Sequence, residues 1–266
     1  MKRLLYFFCC VLATLLVGCE SKEPATSNKT DKPFSVSATK TVTFSPGNLQ
    51  YHAANDEWRF APNQTDYIGE DNENISSTYN GWIDLFGWGT GNNPTNNSRD
   101  GEEYSAFVDW GVNKIGNYAP NTWRTLTFDE WEYIIEKRSN ADKLIGIAQV
   151  NGVIGIILLP DAWQCPSGVT FRLEFDDDYC TDCYYDYQTI SAADWSKLES
   201  SGAVFLPAAG CRSSSDLGGS VQSYGLYWSA TEFSRYSAYY LLFHSDGAYM
   251  FNDGRSGGLS VRLVQD

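Results

Sequence analysis

Histidine, methionine and basic groups are all scarce in this chain of 266 residues. It holds two His, two Met and 19 Lys plus Arg against 33 Asp plus Glu, so the formal net charge is −14 at pH 7. His52 and His244 stand far apart and form no HxxxH pair, which removes a common zinc-binding pattern. A balance this acidic disfavours nucleic acid and anionic membrane surfaces as partners. There is no glycine-rich phosphate loop and no GxSxG turn. Carboxylates are too plentiful for any one pair to be nominated for glycoside hydrolysis. No internal repeat occurs, and no metal or cofactor is expected.

What the chain has in quantity is aromatic rings, 15% of its residues. They crowd the last stretch, residues 224–264, together with Ser and Gly. Tyr supplies large contact area at low rotamer cost while Ser and Gly adapt, the mix found in antibody contact loops. Three acids there (Glu232, Asp246, Asp253) balance three arginines (Arg235, Arg255, Arg262). A neutral aromatic patch on an acidic body is expected to be a binding face.

The other end carries a targeting pattern. Lys2 and Arg3 precede an apolar stretch, Leu4 to Val17, that is too short to span a bilayer comfortably. Its end, Leu16-Val17-Gly18-Cys19, resembles the lipobox of bacterial lipoproteins. The resemblance implies a signal peptide over 1–18 and an acylated, palmitate-bearing Cys19 that anchors the chain in the outer membrane. Glu20-Ser21-Lys22-Glu23 is similar to surface-export signals of such lipoproteins. Residues 19–40 are rich in Ser, Thr, Lys and Pro and read as a flexible tether. One domain is then expected over 41–266.

Within that domain, Val42–Ser45 and Leu49–Tyr51 flank Pro46-Gly47 and predict short strands in an antiparallel sheet, with Trp58–Phe60 a third. Residues 65–121 lack periodicity and predict ordered loops held by aromatic packing. Thr127 and Glu130 fit a capping box, placing Trp131, Ile134, Ile135 and Arg138 on one helix face. A second helix starts at Ser191, buries Trp195 and Leu198, and stops near Gly202. Val153–Leu159 reads as a buried strand, and Ala203–Pro207 starts a region of short strands and turns. Hairpin turns are expected at Ser245-Asp246-Gly247 and Asn252-Asp253-Gly254, with Leu259, Val261 and Leu263 in a final strand.

Four cysteines, Cys165, Cys180, Cys183 and Cys211, remain after the targeting segment. An even number in an oxidising compartment makes disulfides the default, with three possible pairings. Cys180-Thr181-Asp182-Cys183 sits among acids, which raise a thiol pKa and oppose redox chemistry. Asp176–Asp178 with Asp182 and Asp186 offers oxygens of the kind calcium takes. No Gly stands at the sharp-turn position, so a solvated acidic loop is expected instead.

Four segments occur in a telling order. They are Trp123–Thr127 with Glu130-Trp131, Phe205–Gly210, Tyr227–Glu232 and Gly258–Val264. Together they resemble the C-type-lectin-type fold in its formylglycine-generating-enzyme-like branch, which includes major paralogous domain lipoproteins and variable proteins diversified by retroelements. The resemblance implies a loop-rich α+β fold with two helices, short antiparallel sheets and a ligand-binding surface on the C-terminal sheet. Tyr227-Trp228-Ser229 and Ser260-Val261-Arg262 stand where such proteins frame their variable stretch. Active formylglycine-generating enzymes use a cysteine pair near the C-terminus. Nothing after Cys211 is Cys here, so that chemistry is not expected. Nor is calcium-dependent sugar binding, since no Glu-Pro-Asn or Gln-Pro-Asp segment is present.

Alternation along 239–251 assigns Tyr239, Leu241, Phe243, Ala248 and Met250 to the core, with Val261. The expected ligand-binding residues are Phe233, Arg235, Tyr236, Tyr240, Leu242, His244, Asp246, Tyr249, Phe251, Asp253 and Ser256. The expected function is non-catalytic binding of a protein or glycan ligand at the cell surface, as in adhesion. Two rivals are a structural subunit of the cell envelope and an enzyme of unknown type.

Overall fold

The computed structural model describes residues 32–171, 173, 188–218 and 220–266. Cys19 and the lipobox, Cys180, Cys183 and the acidic loop at 176–186 lie outside the described residues. Strands run in chain order as β1 (Phe34–Ser35), β2 (Thr41–Phe44), β3 (Leu49–His52), β4 (Glu57–Phe60), β5 (Trp82–Ile83) and β6 (Arg124–Thr125). Helix α1 (Phe128–Glu132) follows, then β7 (Ile145–Val150), β8 (Val153–Leu158), β9 (Thr189–Ile190) and helix α2 (Ala192–Ser200). The C-terminal quarter is β10 (Val204–Pro207), β11 (Arg212–Ser213), β12 (Asp216–Leu217), β13 (Gly225–Glu232), β14 (Ser237–His244), β15 (Gly247–Gly254), β16 (Gly257–Gly258) and β17 (Leu263–Gln265).

These strands form five small sheets, antiparallel throughout except where β7 meets β9. The architecture is α+β, with helices set against short antiparallel sheets. Both helices form where their caps predict. Thr127 accepts from the Glu130 amide while the Glu130 carboxylate takes the Thr127 amide, a reciprocal box. The next turn, Tyr133–Lys137, widens into a π-helix that keeps Ile134, Ile135 and Arg138 buried. Ser191 caps α2, which buries Trp195 and Leu198. The aromatic loops of 65–121 are tied by Asp84, a fully buried carboxylate that accepts from Asn72 Nδ2 and the Ile68 amide. Burial pushes its pKa up to about 6.

Several expectations need correcting. β2 and β3 do not share one sheet: β2 joins β1 and β17, and β3 joins β4 and β5. The Pro46-Gly47 turn therefore hands the chain from one sheet to another, with the Ala61 carbonyl packed where a Gly47 side chain would stand. The folded body begins before Thr41, because Phe34 and Val36 are buried in the core and β1 pairs with β2. The second C-terminal turn falls at residues 255–256, since β15 continues through Gly254. Leu259 and Val261 are buried, yet the last strand is only Leu263–Gln265. Among the described residues Cys165 and Cys211 are both free, and Cys180 and Cys183, on which the other expected partners fall, lie outside them.

Three hydrophobic clusters fill the interior, and two of them lie on opposite faces of the β13–β14–β15 sheet. One takes Tyr227, Leu241 and Phe243 from the sheet and packs them on Trp131, Ile134, Ile156 and Leu206. The other takes Leu226, Trp228, Ala238 and Tyr240 and packs them on Phe86, Trp88, Trp110 and Leu263. The third joins α2 to β7, β8 and β10. No helix among the described residues is long and apolar enough to cross a membrane.

Candidate recognition face

The C-terminal sheet is anchored before it displays anything. Tyr227 Oη donates to the Pro207 carbonyl at 2.9 Å and accepts from Asn48 Nδ2 at 3.0 Å. Trp228 Nε1 donates to the Phe86 carbonyl at 2.7 Å, and Ser229 Oγ to the Tyr239 carbonyl at 2.8 Å. The Tyr-Trp-Ser segment is thus scaffold, with each polar tip satisfied in the interior. A register shift between Trp228 and Glu232 then bends β13 outward into the loop that carries Phe233 to Tyr236.

Arg255 holds that loop. Its guanidinium is buried over the Trp88 ring, 4.3 Å from Cζ to the ring centroid. It donates to the Tyr104, Ser105 and Ser234 carbonyls and to the Glu232 carboxylate. Arg262 is also buried, bonded to Asn48 and Gln64, and loss of water lowers its pKa to about 10. Two of the three arginines counted as balancing the patch are therefore interior groups. Arg235 is exposed and reaches Glu102 at 2.6 Å. The outer surface is acidic here, not neutral.

Of the expected ligand-binding residues, Tyr240 is misplaced: only 5% of it is exposed, and it packs edge-on against Trp228. Alternation did put it on the opposite face from Leu241. That face is covered by the second core cluster, so pointing away from one core meant pointing into another. Leu242, His244 and Ser256 are partly buried. Tyr239, assigned to the core, is only partly buried, between the Phe128 and Phe233 rings.

The rest divides into three groups. Tyr249 (45% exposed) and Phe251 (55% exposed) project from the same side of β15. Tyr249 lies 5.8 Å from the His244 ring, and His244 lies 5.4 Å from Tyr224. Asp246 and Asp253 are exposed toward the two ends of this strand. Asp246 is held by Ser245 Oγ and by His244 Nδ1 at 2.7 Å, and these bonds keep its carboxyl below the usual range. Arg235 and Tyr236 form a second group against residues 101–102. Phe233 stands apart, edge-on to Tyr239 on the other side of the sheet. Tyr224 escaped the sequence reading because it precedes β13; only its place in the Tyr-rich stretch marked it.

No cluster of His, Cys, Asp and Glu that could hold a metal ion occurs among the described residues. A cleft of about 700 Å³ opens elsewhere, between the β2–β3 turn and the end of α2. In comparisons with known proteins, a family described as a domain of unknown function, DUF8237, matches residues 184–264, which include α2 and the whole β13–β14–β15 sheet. No curated protein and no solved structure matches.

Proposed function

We propose that this chain is a lipid-anchored outer-membrane protein of C-type-lectin type that holds a protein or glycan ligand, without catalysis, on the exposed side of β15. The observation that carries the proposal is the half-exposure of Tyr249 and Phe251 on a sheet whose other two strands each contribute side chains to a core on both faces. Rings held this way lose little entropy on binding, because the backbone beneath them is already fixed. Their faces suit the apolar side of a sugar ring or an apolar protein side chain. Asp246 and Asp253 accept hydrogen bonds from hydroxyl or cationic groups of the same ligand. The corrected contact set is Tyr224, His244, Asp246, Tyr249, Phe251 and Asp253, with Arg235 and Tyr236 as a neighbouring group and Tyr240 as support. Acylation at Cys19 and display at the cell surface complete the proposal, and the stretch framed by Tyr227–Ser229 and Ser260–Arg262 is where sequence variation between copies is expected.

A glycan and protein array tests it. The full chain binds a ligand that the Tyr249→Ala, Phe251→Ala double variant does not, while the two melt within a few degrees of one another. A double variant that binds the same ligands as the parent refutes the assignment.

A further inference from the structure

β15 is an edge strand. Among the described residues it pairs only with β14, in an unbroken register of eight pairs from Ser237↔Gly254 to His244↔Gly247. The hairpin is closed by residues 245 and 246, and the pair flanking a two-residue turn exchanges both its hydrogen bonds. Bonding then alternates along the ladder. Gly247, Tyr249, Phe251 and Asp253 aim their main-chain groups at β14, whereas Ala248, Met250, Asn252 and Gly254 aim theirs outward. Two contacts agree with this phase: the Ser229 hydroxyl reaches the Tyr239 carbonyl from the β13 side, and the Gly254 amide is taken by Asp253 Oδ1 at 2.6 Å. The outward groups of Ala248, Met250 and Asn252 make no hydrogen bond within the described chain.

Open edges of this kind are normally blunted by proline, lysine or a bulge. β15 reads Gly-Ala-Tyr-Met-Phe-Asn-Asp-Gly and has none of them. Its Ala248 and Met250 side chains pack on the core beneath, which fixes the strand in place. The sequence is also self-complementary about Met250. Turned about a twofold axis there, a second strand puts Tyr249 opposite Phe251 and Ala248 opposite Asn252. The two carboxylates fall opposite glycines, Asp246 facing Gly254 and Asp253 facing Gly247, so no like charges are directly paired. Aromatic cross-strand pairs are among the favourable ones in sheets.

We propose that two copies of this chain associate through antiparallel pairing of β15 with β15, forming one six-stranded sheet whose exposed side carries the rings of both copies side by side. The three outward residues of each strand supply the new ladder, and Tyr249 with Phe251 of the other copy supplies the side-chain contact. The strand spans roughly 27 Å, so the interface is small and the association is expected in the roughly micromolar range or weaker. Both partners are strongly acidic, so added salt strengthens the pairing by screening their repulsion. The inference holds whether or not a ligand is found for the aromatic face.

Sedimentation of the full chain across roughly micromolar to millimolar concentration is the test, at low and high salt. The expected result is a monomer–dimer equilibrium that tightens with salt and weakens about tenfold or more in Asn252→Pro, which removes one outward amide and spares the bonds to β14. Phe251→Asp, at an exposed ring, gives the same direction should the proline variant not fold. A chain that is monomeric throughout, or a dimer that neither variant weakens, overturns the proposal. So does a monomer whose Met250 amide becomes protected from exchange by linear peptides of random sequence, which would assign the edge to a foreign strand. Array binding lost in Tyr249→Ala, Phe251→Ala while the parent stays monomeric leaves the recognition face standing and removes the self-pairing alone.

Discussion

β14 and β15 lie side by side, are the same length, and both carry aromatic side chains on their alternating faces, yet they do different work. β14 has a core on each face, so both of its alternating sets are needed for stability. β15 has a core on one face only, and its other set, Tyr249, Phe251 and Asp253, stands in solvent. Position in the sheet, not composition, separates a structural aromatic residue from one free to bind something.

The comparison is broken most severely at Trp228, which is buried beside Tyr240. Trp228→Ala is expected to cost about 3–5 kcal/mol, and Tyr240→Ala about as much, read as a fall in the denaturant midpoint. A loss below about 1 kcal/mol at either position would mean that the sheet's inner face is not the scaffold described here.

Arg255 tests how the loop is held. Arg255→Ala leaves five main-chain and side-chain acceptors without this donor, and a loss of about 2–4 kcal/mol is expected. Faster amide exchange at 233–237 should accompany it. Unchanged exchange there would show that the loop is held by something else.

Asp84 gives the same contrast through pH. Its folded pKa of about 6 lies above the ordinary 3.8, so between those values the folded chain keeps a proton that the unfolded chain has released. Its contribution is greatest below about pH 4 and is lost as pH rises through about 6, an effect of about 3 kcal/mol. Asp84→Asn should remove that part of the slope of Tm against pH between 4 and 7. An identical slope in the variant would contradict the burial argument. Asp246, partly solvated on the outside, shifts the other way.

The smallest effect is expected at the surface. Tyr249→Ala and Phe251→Ala should each change stability by no more than about 0.5 kcal/mol. A loss of several kcal/mol would place these rings in the core and remove the binding face.

Much of the fold could be read from local signals. The Thr127–Glu130 box, the Ser191 cap and the Ser245-Asp246 turn depend on residues within one turn of each other, and all three form. The second turn falls later than its local chemistry predicts, because Asn252-Asp253-Gly254 has turn residues but sits where β15 still pairs with β14. Alternation sorted the residues of β14 onto two faces correctly and then failed at Tyr240, since period-two patterning says which residues share a face and nothing about what covers it.

The chain's sequence by itself determined its acidic charge, its caps, its nearest turns and the aromatic richness of its last stretch, because these depend on composition or on neighbours along the chain. The tertiary structure alone decided that Arg255 and Arg262 are interior, that β2 and β3 part company, and that Tyr249 and Phe251 remain outside while Tyr240 does not. Those outcomes depend on which distant segments, such as residues 86–110 and the C-terminal strand, come to rest against each face. Burial is set by partners that no local pattern names.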